Sequence, residues 1–362
     1  MPNVTKDQVL LALKTVDSGI NGMDILAHQW IKDIVVKEGH VSFALEVPAK
    51  LGPELEPVRA AAEKAVYKLP GVLSVTAGLT AEKEAKPQGG SGRDRLELSG
   101  IKAIFAVASG KGGVGKSTTA ANIALALAKT GKSVALFDAD IFGPSMPRML
   151  GLAGKKPHSD GTKVYPLENH GVKVMSIGFM IGEDDPVIWR GPMVMGALEQ
   201  MLKDVEWGVI DIMVVDMPPG TGDTQLTMSQ RVPLAGAVIV STPQDIALID
   251  ARKGLNMFRR VEVPILGMIE NMSHYICPAC GNRDEIFGSG GARKTSTELD
   301  VDFLGEIPLD LKIRETSDSG APIVIKDPDG PHSMAYIAIA QKIAAKLDLG
   351  TVKAAPNISM ED

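Results

Sequence analysis

Residues 103–131 read AIFAVASGKGGVGKSTTAANIALALAKTG: an apolar run of strand length, a glycine-rich loop and a helical stretch in direct succession. The loop fits G-x-x-x-x-G-K-S from Gly110 to Ser117. Glycines let the backbone curl so that successive N–H groups point inward at phosphate oxygens, and a helix beginning near Lys116 adds the positive end of its dipole. In this pattern Lys116 reaches the β- and γ-phosphates of ATP and the Ser117 hydroxyl binds Mg²⁺. Gly110, Lys111, Gly112, Gly113, Val114, Gly115 and Thr118 complete the cradle. A glycine-rich turn with a chance lysine is the competing reading, but the strand before and the helix after are the context the motif requires.

Working outward, apolar runs of strand length alternate with helical stretches. They lie at 103–109, 133–139, 172–178, 212–218, 236–242, 264–271 and 302–308. Near-continuous apolar strands separated by helices imply a mostly parallel sheet covered on both faces, a doubly wound α/β fold whose ligands bind at the carboxyl ends of the strands. IMVVDMPPGTGD puts Asp216 at such an end, where a carboxylate holding Mg²⁺ belongs; alone, an aspartate there is as readily a turn former. This domain is expected over 101–350. Before it, residues 1–80 read as a small α/β unit: a helix from Thr5 to Val16, strand-like IKDIVV and HVSFALEV, a helical LEPVRAAAEKAVYKL and a strand VLSVTAG. Residues 81–100 have the Gly, Lys, Glu and Pro content of a flexible linker, and 351–362 read as a tail.

The chain has 362 residues, 44% hydrophobic and 23% charged, with a net charge of −6. That balance supplies no general attraction to nucleic acid or to an anionic membrane, so neither partner is expected. No run of about 18 apolar residues spans a bilayer. The amphipathic start MPNVTKDQVLLALKTV lacks a basic-then-apolar signal, so the expected location is cytoplasmic.

The string KGGVGKST resembles the deviant Walker A motif of the MinD/ParA/nitrogenase-iron-protein class of ATPases. The resemblance implies that Lys111 crosses a homodimer interface to the nucleotide of the other subunit, where its charge would stabilise the transferring phosphoryl group. It further implies that ALFDADIFGPS is the switch segment. Asp138 would then stand near the Mg²⁺, with Ser117 and Asp216, and Asp140 would position the attacking water. Asn271, in IENMS, would read the adenine edge.

Cys277 and Cys280, in SHYICPACGN, are the only cysteines in the chain. Two buried thiols, a thioredoxin-like dithiol and metal ligation are the three readings. Proline and glycine beside the pair imply an exposed loop, and the dithiol motif belongs to another fold context. A structural zinc needs four ligands and a second C-x-x-C, which the chain lacks; His274 and His170 have no supporting spacing. Two copies meeting at a two-fold axis would bring four thiolates, the ligand set of a 4Fe–4S cluster bridging two subunits.

Deviant loop, GPS, PPGTGD and C-x-x-C followed by IFG, in this order over about residues 100–345, closely resemble the Mrp/ApbC iron–sulfur carrier family. The resemblance implies a homodimeric ATP hydrolase that binds a labile cluster, accepts it from donor or scaffold proteins and passes it to apo-proteins. A positioning ATPase of the MinD/ParA type and an ATP-coupled electron-transfer protein are the alternatives. The N-terminal unit resembles the MIP18-like domain. Many such domains carry a cysteine where this chain reads ALEVPAKLGPELEPV, so this unit offers no thiol to a cluster.

Overall fold

The computed structural model describes residues 4–18, 24–28, 30–37, 40–48, 55–72, 74–82, 95–180 and 191–351. The chain divides into two compact units, Met1–Ser91 and Gly92–Asp362. Most of the expected linker and the expected tail beyond residue 351 lie outside the described residues. The described ends of the linker are structured: Ala81 and Glu82 finish a strand, and Leu96 is buried with its N–H on the Arg231 carbonyl, 2.8 Å.

In the first unit, helix Lys6–Leu13 opens on a capping box, the Thr5 hydroxyl accepting from the Gln8 N–H while the Gln8 side chain accepts from the Thr5 N–H. Strand His40–Pro48 is central, antiparallel to Ile31–Lys37 and parallel to Ser74–Glu82. The parallel return is made through helix Glu56–Tyr67. Val9, Leu13, Phe43, Leu45, Ala62 and Val66 form the core where these elements meet.

The second unit is the expected mostly parallel sheet, with eight strands. Their spatial order is Phe303–Ile307, Ile265–Asn271, Gly236–Ser241, Ile101–Ala108, Ile210–Asp216, Val134–Asp138, Val172–Ser176 and Leu167–Asn169. Every neighbouring pair is parallel except the last. All seven apolar runs became strands; the short antiparallel edge Leu167–Asn169 was not anticipated. Ala103 through Ala108 are buried without a break. Successive side chains point to opposite faces, so an unbroken run means that both faces are covered.

Helix Lys116–Lys129 packs between this sheet and helix Pro331–Thr351 and is buried almost all round from Thr119 to Leu127. Full burial of a leucine or isoleucine is worth about 1.5–3 kcal/mol, so Ile123, Leu125 and Leu127 fix this helix, and the loop that feeds it, rigidly on the sheet. No helix among the described residues is long and apolar enough to cross a membrane.

Candidate functional site

The loop Gly110–Gly115 leaves the carboxyl end of a central strand, and its shape is enforced from several sides. The buried Ser109 hydroxyl donates to the Lys111 carbonyl at 2.8 Å, and the Gly220 N–H donates to the Ser109 carbonyl at 3.0 Å, tying in the PPGTGD turn. A Cβ on Gly110 would stand 2.1 Å from the Asp250 backbone carbon, so helix Asp245–Arg260 leaves room for no side chain there. Gly115, at φ 78°, is the left-handed N-cap of helix Lys116–Lys129. That helix has no acidic residue in its first turn, which leaves its positive end open to an anion.

Lys116, 6% exposed, points into the end of the sheet. Its Nζ lies 2.5 Å from Asp216 Oδ1, 3.1 Å from Ser117 Oγ and 3.8 Å from Asp140 Oδ2. Asp216 supplies the countercharge that a buried ammonium requires. Its other oxygen, Oδ2, is buried and has no hydrogen-bond partner among the described residues, an acceptor with spare capacity. Burial raises the Asp216 carboxyl above its ordinary range, with the Lys116 ammonium pulling the other way.

Asp138 lies opposite Asp216 on the adjacent strand. Its Oδ1 accepts from the Asp140 N–H at 3.1 Å, and Oδ2 from Ser176 Oγ at 2.9 Å and the Met146 N–H at 3.3 Å. It therefore ties the switch segment, and Asp140 with it, to the sheet. Burial first, and then the Asp216 charge, push its carboxyl up to about 7.

Lys111 is half-buried and, among the described residues, has no ion-pair partner. Asn271 is buried and donates Nδ2 to the Val114 carbonyl at 2.8 Å, bracing the loop. It also lines a groove of about 1620 Å³ beside the loop, together with Gly115, Thr118, Pro144, Met272 and Tyr336.

The cysteines lie apart from this constellation, at the tip of a short antiparallel hairpin, Tyr275–Ile276 with Arg283–Asp284. The Cys277 N–H donates to the Asn282 carbonyl at 2.9 Å and the Gly281 N–H to the Cys277 carbonyl at 2.8 Å, with Gly281 left-handed at φ 71°. Cys277 is half-buried and Cys280 exposed. The backbone N–H groups of Ala279 and Cys280 point at the Cys277 sulfur and hold its thiol below the ordinary range. Among the described residues, no three His, Cys, Asp or Glu side chains cluster as a metal site. His170 is engaged instead with the Gly320 carbonyl at 3.0 Å, and His274 with the Ser273 hydroxyl at 2.9 Å.

Sequence reasoning missed Ser109 and Ser176, which brace the loop and Asp138, and Glu270, which binds the Gly290 and Ala292 N–H groups beyond the cysteine hairpin. A polar residue inside an otherwise apolar strand was the available signal for Glu270; its partners, 20 and 22 residues downstream, left no local trace.

Residues 100–344 match a family model described as the NUBPL iron-transfer P-loop NTPase, and residues 6–77 one described as an iron-sulfur cluster assembly protein. A Synechocystis protein named iron-sulfur cluster carrier protein is 46% identical over 354 residues, covering 96% of this chain and 99% of that one. The Dictyostelium discoideum iron-sulfur cluster transfer protein NUBPL is 53% identical over 268 residues, 72% of this chain and 83% of its own. Among solved structures, an Archaeoglobus fulgidus nucleotide-binding protein in complex with ADP superposes with a TM-score of 0.58 at 37% identity, over 66% of this chain and 93% of that one. MinD from Aquifex aeolicus follows with 0.50 at 25%, over 67% and 97%.

Proposed function

Because the chain belongs to the iron-transfer P-loop NTPase family, we propose that it is a cytoplasmic homodimer that hydrolyses ATP at the Gly110–Ser117 loop and carries 4Fe–4S clusters on Cys277 and Cys280 to apo-proteins. The observation that carries the reading is one chain holding both a built phosphate cradle and an exposed C-x-x-C tip whose Cys277 sulfur accepts from the backbone N–H groups of Ala279 and Cys280. Carrier and transfer proteins among the relatives support it over a positioning ATPase or an electron-transfer protein.

Asp216 neutralises Lys116. Phosphate oxygens entering the loop take over as the lysine's anionic partner, so the binding exchanges one ion pair for another rather than stranding a buried charge. The Ser117 hydroxyl and the Asp216 carboxylate, one of whose oxygens has no hydrogen-bond partner among the described residues, would hold Mg²⁺, which would neutralise charge on the phosphate oxygens. Asp140, held by Asp138, orients the water that attacks the γ-phosphorus. The bond from that phosphorus to the bridging oxygen breaks, ADP leaves, and the water's proton passes to solvent. Lys111 of a second copy, with no countercharge in its own chain among the described residues, supplies positive charge where the phosphoryl group gains negative charge.

Cluster cargo needs four thiolates and each chain offers two, so loading and dimer formation depend on one another. Transfer proceeds by thiolate exchange: an acceptor cysteine forms a bond to iron as Cys277 or Cys280 gives one up. The test is to load the protein anaerobically, mix it with the apo-form of a 4Fe–4S enzyme and follow the enzyme's activity. Recovery within minutes, lost in Cys277→Ala, is expected; recovery that equals free iron and sulfide alone contradicts the proposal.

A further inference from the structure

Glu270 is fully buried on strand Ile265–Asn271, in a position that an apolar side chain would fill without the cost of desolvating a charge. Its carboxylate accepts the Gly290 N–H at 2.8 Å on Oε1 and the Ala292 N–H at 2.7 Å on Oε2. These charge-assisted bonds clamp the start of helix Gly291–Glu298, the segment into which the cysteine hairpin leads. Between them, a Cβ on Gly291 would meet Leu248 Cδ1 at 2.6 Å and the Pro243 carbonyl oxygen at 2.7 Å, so this exit is pressed hard against the neighbouring strand's loop and helix.

The next residue, Asn271, holds the phosphate loop at Val114, and a Cβ on Gly115 would stand 2.2 Å from the Asn271 Nδ2. Two consecutive residues at one strand end thus grip the nucleotide loop and the exit of the cysteine hairpin. The entrance is pinned nearby: the Ser273 N–H and hydroxyl both donate to the Ile307 carbonyl, at 3.0 and 3.1 Å, and the Leu309 N–H donates to the His274 carbonyl at 2.7 Å. Glu306, opposite Glu270 on the next strand, adds looser ion pairs to Arg283 at 3.9 Å and Arg293 at 3.7 Å, which solvent screens.

We infer that Glu270 is a positioning residue that transmits nucleotide occupancy of the loop to the cysteine hairpin, through the Val114–Asn271 bond on one side and the Gly290–Ala292 clamp on the other. Phosphates drawing on the loop shift Val114 and Gly115 against Asn271. The strand end moves with it, and Glu270 carries that movement to the hairpin's base. The inference rests on the ATPase reading above and names the route by which that site reaches the thiols.

The experiment uses the full-length, cluster-free protein. Alkylation rates of Cys277 and Cys280 by N-ethylmaleimide are measured with and without a non-hydrolysable ATP analogue, alongside steady-state kcat and KM for ATP. In the wild type, saturation with the analogue changes the alkylation rate roughly fivefold or more, the lower range of site-to-site coupling. In Glu270→Gln the ratio falls to about one while kcat and KM stay within about twofold, because the side chain touches no phosphate. Glu270→Asp keeps both acceptors but retracts them by one methylene; it gives an intermediate ratio and carries the test if the amide variant does not fold. A wild-type ratio in both variants overturns the inference, as does a loss of ATPase activity in step with the ratio, which marks a purely structural anchor. A wild-type protein that hydrolyses ATP with no change at the thiols overturns it too. A wild-type protein that does not hydrolyse ATP overturns instead the functional reading beneath it.

Discussion

The phosphate loop and the cysteine hairpin stand in opposite states of completion. Around the loop, groups are buried and mutually braced: Lys116 on Asp216, Asp138 on Ser176 and Met146, Asn271 on Val114. At the hairpin, half-buried Cys277 and exposed Cys280 belong to no cluster of three or more potential metal ligands among the described residues. A preorganised site binds without reorganising, which suits phosphoryl transfer. A half-site at an exposed tip can be completed, opened and handed on, which suits a cargo.

The sharpest way to break this contrast is Lys116→Ala, which removes the loop's buried cation. We expect ATP hydrolysis to fall by about 10²-fold or more, while iron loading on the cysteines is retained. A steady-state phosphate-release assay beside an iron count reads both, and an unchanged ATPase rate would refute the placement of the site. Its counterpart, Cys277→Ala, takes iron from about four per dimer to near zero while nucleotide affinity, read by titration calorimetry, stays as in the wild type. If both sites failed in either variant, the two regions would not be separable as described.

Smaller effects sharpen the difference. Gly110→Ala drives a methyl into the Asp250 backbone and costs about 1–3 kcal/mol of stability by overpacking, seen as a lower melting temperature. An alanine at Gly281 would meet no neighbour within 4 Å, so any penalty there comes from its φ of 71° alone. The smallest effect is a shift along the pH axis. Because backbone N–H groups favour the charged sulfur, the Cys277 thiolate forms at lower pH than that of a free cysteine. Its alkylation rate should reach half-maximum at a lower pH than that of a short unfolded cysteine peptide measured alongside, as followed by mass spectrometry. A midpoint at or above the peptide's would show that the tip is not prepared for metal.

The two regions also differed in how plainly the sequence announced them. The seven long strands were readable because strands buried on both faces are apolar without interruption, as in IMVVDMP and GAVIVST. Leu167–Asn169 was not, since three residues reading Leu-Glu-Asn bury too little to leave a pattern. Lys116 and Ser117 are legible because a phosphate loop demands fixed types at fixed spacing, and Asp216 because a carboxylate ends an apolar strand. Ser176 and Glu270 escaped notice because Asp138 to Ser176, and Glu270 to Ala292, are contacts the fold makes between distant positions. The spatial order that places the loop's strand between Gly236–Ser241 and Ile210–Asp216 likewise follows from long-range packing that no local stretch encodes.

Whether one cluster is shared by two chains is read by native mass spectrometry of the anaerobically reconstituted protein. The expected result is a dimer carrying one cluster of four irons, a cluster-free monomer, and no cluster in Cys277→Ala. Cluster mass on the monomer, or on a dimer that keeps it after that substitution, would contradict the account.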